Sequence, residues 1–256
     1  MKALDLFCGA GGASMGLHQA GFEVLGVDIN RQDHYPFGIR NCDVLELPIK
    51  YLRKFDLIWA SPPCQRFSVM TKRWKRESNH PDLIAPVRQM LKESGKPYII
   101  ENVVGAPLIN PVMLCGSMFG LQTKYGSQLR RHRLFECSFF VWQPECRHSK
   151  GSVIGVYGGG QHPGRRYHRN PDGTLKTPHK IIPATIGVYG NAGGSSKRDG
   201  TAGFSTADRR DAMGIDWMTG KELSQAIPPA YAKYLAEQFL QSLQSHRKGR
   251  KPGKNM

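Results

Sequence analysis

Asp5-Leu6-Phe7-Cys8-Gly9-Ala10-Gly11-Gly12 limits what this chain can become more than any other stretch. It joins an apolar run, Ala3–Phe7, to a helical pattern over Ala13–Ala20 through a cluster of glycines. A second apolar run, Phe22–Val27, follows at once and ends at Asp28. Two more, Phe55–Ala60 and Tyr98–Ile100, bracket a helical face made by Leu83, Val87 and Leu91 at i, i+4 and i+8. Strands alternating with helices in this way predict an α/β fold built on a Rossmann-like, doubly wound, mostly parallel sheet. Ligands of such sheets lie at the carboxyl ends of the strands.

Beyond about Ser138 the apolar periodicity fades until Thr206, and Gly, Pro, His and basic residues take over, among them Lys150, Arg165, Arg166, Lys197 and Arg198. Ile154-Gly155-Val156-Tyr157-Gly158 recurs there as Ile186-Gly187-Val188-Tyr189-Gly190, which reads as two similar short β elements in a small irregular segment. A helical pattern returns at Thr206–Met213 and again after Ile227-Pro228-Pro229, with Tyr231, Leu235, Phe239 and Leu243 in one stripe. The expected organisation is a catalytic domain from 1–137 and 205–245, a basic Gly-rich region over 138–204, and a disordered basic tail over 246–256.

Charge narrows the partner. Lys and Arg number 36 against 20 Asp and Glu, a net +16 over 256 residues, so a polyanion is expected, nucleic acid first. No run approaches the ~18 apolar residues of a membrane span, and the N-terminus carries no signal-peptide pattern. Six scattered cysteines in a chain of this size point to free thiols in a reducing, cytoplasmic setting. Cys146-Arg147-His148 lacks partners at zinc-site spacing, so no metal is expected.

Four constellations carry chemistry. The glycine turn Phe7, Cys8, Gly9, Ala10, Gly11, Gly12 lets backbone approach a nucleotide-like ligand at a helix N-terminus. Asp28 then stands where ribose hydroxyls bind. The final position of a dinucleotide-type glycine pattern is Ser14, and a tight turn without a ligand is the competing reading. Ser61-Pro62-Pro63-Cys64-Gln65 follows a buried strand; tandem prolines stiffen the loop and aim the Cys64 thiol. Glu101-Asn102-Val103 ends the next strand, where apolar neighbours can keep a carboxyl protonated near neutrality. In Gln128-Leu129-Arg130-Arg131-His132-Arg133, alternation would turn Arg131 and Arg133 the same way, into a cleft or toward phosphates. A solvated charge run is the bland alternative.

In this order the motifs resemble the cytosine-C5 methyltransferase family. The match includes Asp5–Gly12, Asp28, Asn41-Cys42-Asp43, Pro62-Pro63-Cys64-Gln65, Glu101-Asn102-Val103, Arg131-x-Arg133 and Ala226-Ile227-Pro228-Pro229. It departs at Leu129, where the family has Gln, and at Ser224-Gln225, where it has Gly-Asn. The resemblance implies a class I methyltransferase fold whose last helix packs against the first strand. It implies S-adenosyl-L-methionine on Phe7, Cys8, Gly9, Ala10, Gly11, Gly12, Asp28, Ile29, Asp43, Val44 and Pro62. Cys64 would be the nucleophile at cytosine C6, Glu101 the acid at N3, Asn102 the residue holding the catalytic loop and Arg131 the group near O2. Gln65, Arg133, Arg165, Arg166, Lys197 and Arg198 would contact nucleic acid, with 138–204 choosing the target.

The expected activity is therefore methylation of a flipped-out cytosine in double-stranded DNA by a monomer from a bacterium or bacteriophage, alone or beside a companion restriction endonuclease. A tRNA-directed enzyme on the same scaffold and a non-catalytic nucleic-acid-binding relative are the alternatives. A cysteine hydrolase built on Cys64 leaves the glycine loop unexplained and has no identifiable histidine partner.

Overall fold

The structure is a computed structural model and describes residues 1–63, 82–124, 126–148 and 205–249. The chain divides into two compact units. One contains Met1–Leu114, His132–Glu145 and Ala226–Met256; the other contains Cys115–Arg131 and Cys146–Gln225. These boundaries differ from the expected cuts at 137/138 and 204/205.

The first unit is an α/β sheet of seven strands: β1 Lys2–Leu6, β2 Glu23–Asp28, β3 Gly38–Asn41, β4 Leu57–Ala60, β5 Tyr98–Asn102, β6 Val112–Leu114 and β7 Arg133–Cys137. Their order is β3-β2-β1-β4-β5-β7-β6. The first five pair parallel; β7 runs antiparallel to both β5 and β6. Order reverses between β1 and β4, so the ligand crevice of such a sheet opens at the carboxyl ends of these two strands.

Both faces are covered, as a parallel sheet requires. On one face Leu4, Leu6, Ile58, Ala60 and Ile100 pack with Val87, Met90 and Leu91 of α3 (Ile84–Ser94). Residues of opposite parity face the other helices: Asp5 bonds Ser14 of α1 (Gly12–Gln19). Trp59, Phe135 and Tyr231 of α6 (Pro229–Gly249) form successive edge-on ring contacts. Helix α2 (Ile49–Leu52) precedes β4. Glycine sets how closely α1 meets α6. A Cβ on Gly12 would fall 2.3 Å from the Ile227 carbonyl oxygen, and one on Gly16 would fall 2.2 Å from that of Pro229. The chain's two ends therefore build one layer, in which the last helix lies on the first helix.

Helix α6 continues to Gly249, into the stretch expected to be disordered tail. Backbone i→i−4 bonding extends a helix without burial when the preceding turns are anchored, here by Tyr231, Leu235 and Phe239. Residues 250–256 lie outside the described residues, as do the repeats at 154–158 and 186–190. In the second unit, α4 (Thr206–Met213) has a capping box between Ser205 and Asp208, and α5 spans Gly220–Gln225. Among the described residues no helix is long and apolar enough to cross a membrane.

Candidate active site

Phe7 ends β1 in the left-handed region, at φ +60°, an uncommon conformation for a bulky residue that tends to mark functional turns. Gly9 follows at φ +49°, and a Cβ there would meet nothing within 4 Å. Gly11 is different: a Cβ would strike Tyr35 and Pro36 at 2.9 Å. The glycine cluster thus serves two purposes. Gly9 keeps open space beside the turn, whereas Gly11 and Gly12 admit other parts of the protein, not a ligand.

The Asp28 carboxylate, at the end of β2, braces this turn. It accepts the Gly9 N–H at 3.0 Å and the Asn30 N–H at 2.9 Å. Ile29 beside it is 66% exposed, an apolar surface next to an acid at the sheet's carboxyl edge. Asp43, just after β3, accepts the Leu45 N–H and starts a 3-10 turn whose Val44 is buried. An acid for hydroxyls, an exposed aliphatic face and an open glycine at one edge fit a nucleoside-bearing cofactor. Cys8 and Ala10 are buried, and burial pushes the Cys8 thiol far up, with Asp5 and Asp28 adding to the effect. Cys8 is therefore a packing residue.

Beneath the turn lies a buried polar cluster that the sequence reading missed. Ser14 donates to Asp5 and meets the Tyr35 hydroxyl at 2.8 Å. Burial is the main reason the Asp5 carboxyl is pushed up to about 7; the Ser14 hydrogen bond opposes it. Ser14 is a serine, where a dinucleotide pattern has glycine or alanine, because it serves Asp5. That departure was visible in the sequence, but its partner was not.

The chain leaves β4 through Ser61 and Pro62. The Ser61 N–H bonds the Leu6 carbonyl at 3.1 Å, and the Trp59 indole donates to the Ser61 hydroxyl at 2.8 Å. From the end of β5, the Asn102 amide donates to the Pro62 carbonyl at 3.0 Å. Asn102 is 1% exposed, so this bond is shielded from water. Cys64 and Gln65 lie outside the described residues, as do Arg165, Arg166, Lys197 and Arg198.

Glu101 shares β5 and faces the same side as Phe135, its cross-strand neighbour. Arg133, diagonal to it on β7, pairs through Nε with Glu101 Oε1 at 3.1 Å, both side chains being nearly buried. Arg133 was expected at nucleic acid; in the structure its guanidinium pairs with Glu101. Arg131 differs again: it is fully buried and donates from Nη2 to the Ser224 carbonyl at 2.8 Å, within the second unit. The expected alternation fails because β7 begins at Arg133, which leaves Arg131 outside the strand. The guanidinium paired with Glu101 is thus that of Arg133. The spacing argument against a metal site also missed a distant residue, since Cys115 joins Cys146 and His148.

Comparison with known proteins agrees with this geometry. A family model described as C-5 cytosine-specific DNA methylase matches residues 1–107. The chain is 32% identical over 122 residues to the Type II methyltransferase M.AgeI of Thalassovita gelatinovora, covering 41% of this chain and 28% of that protein. It is 37% identical over 84 residues to M.HgiGI of Herpetosiphon aurantiacus, covering 28% of this chain and 67% of the relative. Matches to M.AgeI and to M.XorII of Xanthomonas oryzae each span only 28% of the relative's length. Among solved structures, the S. pombe Dnmt2 methyltransferase superposes over 95% of this chain and 99% of its own, with TM-score 0.54 and 16% identity. Entamoeba histolytica EhMeth gives 0.56 at 13% identity over 95% and 98%. These two share the fold. The strand order, the pinned proline loop, the Glu-Asn strand end and the sequence matches converge: the chain belongs to the C-5 cytosine-specific DNA methylase family.

Proposed function

We propose that the chain transfers a methyl group to C5 of a cytosine in double-stranded DNA. The observation that carries this reading is the Asn102–Pro62 bond, which fixes the backbone two residues before Cys64 beside the Glu101 carboxylate's strand. A nucleophile's loop and a proton-handling group are thereby tied to adjacent strand ends, as a two-point attack on one ring requires.

Cytosine C5 is a weak nucleophile while the ring is aromatic. Addition of the Cys64 thiolate to C6 removes the aromaticity, and Glu101 at N3 stabilises the charge that develops. Arg133 orients Glu101 through their ion pair. S-adenosylmethionine would be held by Phe7, the open side of the turn at Gly9, Asp28 and Ile29, and when bound it supplies an electrophilic methyl group. Loss of the C5 proton and departure of Cys64 restore the aromatic ring as 5-methylcytosine. The target base must leave the helix to reach Cys64, at a cost of a few kcal/mol, and the chain's +16 charge supplies phosphate attraction to offset it.

Tritiated S-adenosylmethionine offered with duplex DNA, and separately with tRNA, tests the reading. Label should enter DNA as 5-methylcytosine, and Cys64→Ser should abolish it while cofactor still binds. Label confined to RNA, or a Cys64→Ser enzyme that keeps its rate, would overturn the proposal. Relatives named Type II methyltransferases support a companion restriction endonuclease as the biological setting of this reading.

A further inference from the structure

The second unit holds a group of side chains that methyl transfer does not use. Cys115 is fully buried and immediately precedes a 3-10 turn, Gly116–Phe119. That turn is rigidly held: a Cβ on Gly116 would lie 2.4 Å from the Leu129 carbonyl oxygen, and Leu121 N–H bonds the Gly116 carbonyl at 3.0 Å. The Cys115 N–H also contacts the Met118 sulfur at 3.3 Å. The thiol direction is therefore set by packing. About 30 residues later, the chain brings Cys146 and His148 to the same place.

His148 Nε2 lies 3.1 Å from the Cys146 sulfur and 3.4 Å from the Cys115 sulfur. A ring nitrogen offers one in-plane lone pair or one N–H, so it serves a single hydrogen-bond partner well. Two sulfurs at that nitrogen suit a shared cation better. With zinc–sulfur and zinc–nitrogen bonds of about 2.3 and 2.0–2.1 Å, a tetrahedral ion separates sulfur from nitrogen by about 3.6 Å. The observed separations fall a few tenths below this, and all three ligand atoms lie within 4.8 Å of one another. Thiolate with imidazole in such a geometry selects zinc over the oxygen-seeking cations.

We infer that Cys115, Cys146 and His148 bind a structural zinc ion. The ion clips the segment Cys115–Arg131 to the point where the chain enters residues 149–204. It closes a loop of about 30 residues, and because the unfolded chain has no preformed site, its binding free energy adds to the stability of the folded form. Binding releases the thiol protons of Cys115 and Cys146 to solvent and oxidises nothing.

Elemental analysis of the full chain, purified without chelator or affinity metal, tests this. Zinc should be present at about one per chain, and Cys146→Ser and His148→Ala should each retain less than a tenth of it, while Cys42→Ser retains it all. Should a variant fail to fold, the wild type still decides the matter. Cobalt(II) exchanged into it should give visible bands of a tetrahedral site with sulfur-to-cobalt absorption, and a chelator should expose Cys115 and Cys146 to alkylation. A wild-type chain without zinc that takes up no cobalt, or one carrying a Cys115–Cys146 disulfide, would contradict the inference.

Discussion

Two carboxylates on neighbouring strands meet two arginines, yet they do opposite work. Glu136 on β7 is held by Arg88 at 2.7 and 2.8 Å, by the Ile109 N–H at 2.8 Å and by the Tyr98 hydroxyl at 3.4 Å. Burial works against its charge, but the Arg88 and Ile109 hydrogen bonds outweigh it and hold the carboxyl below the usual range. Glu101 lies on the other side of the sheet, at the carboxyl end of β5, paired with Arg133 at 3.1 Å. The interior pair bolts α3 to the sheet; the edge pair stands where ligands of this fold arrive. Asp5 and Asp28 repeat the contrast on β1 and β2, one sealed beneath the turn and one at its rim. The face of the sheet and the depth below its carboxyl edge, not chemical type, set which partners each acid finds.

Substitutions can break that contrast. The largest effect is expected for Glu101→Gln, which keeps the shape but removes the proton-handling group. Methyl transfer should fall by about 10² to 10⁴-fold in initial-rate assays, and a rate within threefold of wild type would place Glu101 among the structural acids. Asp5 comes next. A folded-state carboxyl raised to about 7 contributes fully to stability only below its ordinary range near 4, and that contribution is lost as pH rises through 7. At about 1.4 kcal/mol per unit, the urea-unfolding free energies of wild type and Asp5→Asn should diverge by several kcal/mol between pH 4 and 7, with the wild type weakening; parallel curves would refute the buried acid. Glu136→Ala should cost about 3 kcal/mol in unfolding experiments by stranding Arg88, while the rate per folded molecule stays near wild type. The smallest effect is expected for Asp28→Asn, about tenfold weaker S-adenosylmethionine binding by calorimetry; unchanged affinity would move Asp28 to the structural set.

Four of the five parallel strands were legible because they are largely apolar, whereas the mostly exposed β3, Gly38–Asn41, was not. Leu57, Ile58, Trp59 and Ala60 are all fully buried, so the run announces itself. The antiparallel end was not, since β7 carries Arg133 and Glu136 in five residues and β6 has only Val112–Leu114. Buried charges that find partners 32 and 48 positions away leave no local pattern. The same reason hid the partner of Arg133. Alternation places Arg131 and Arg133 together only if both lie in a strand, and pairing with β5 starts the strand at Arg133. Cys115 escaped notice likewise, because metal ligands read by spacing are sought nearby, whereas this turn lies about 30 residues upstream.

Covalent chemistry at Cys64 is the claim on which the functional reading depends. An oligonucleotide duplex carrying 5-fluorocytosine at the methylated position cannot lose its C5 substituent, so the sulfur–carbon bond persists once the methyl group is in place. Mixed with the protein and S-adenosylmethionine, it should yield a protein–DNA band that survives denaturing electrophoresis, with the crosslink mapped to the peptide containing Cys64. A folded, cofactor-binding sample that gives no such band on a duplex whose unmodified counterpart it methylates would contradict the covalent step.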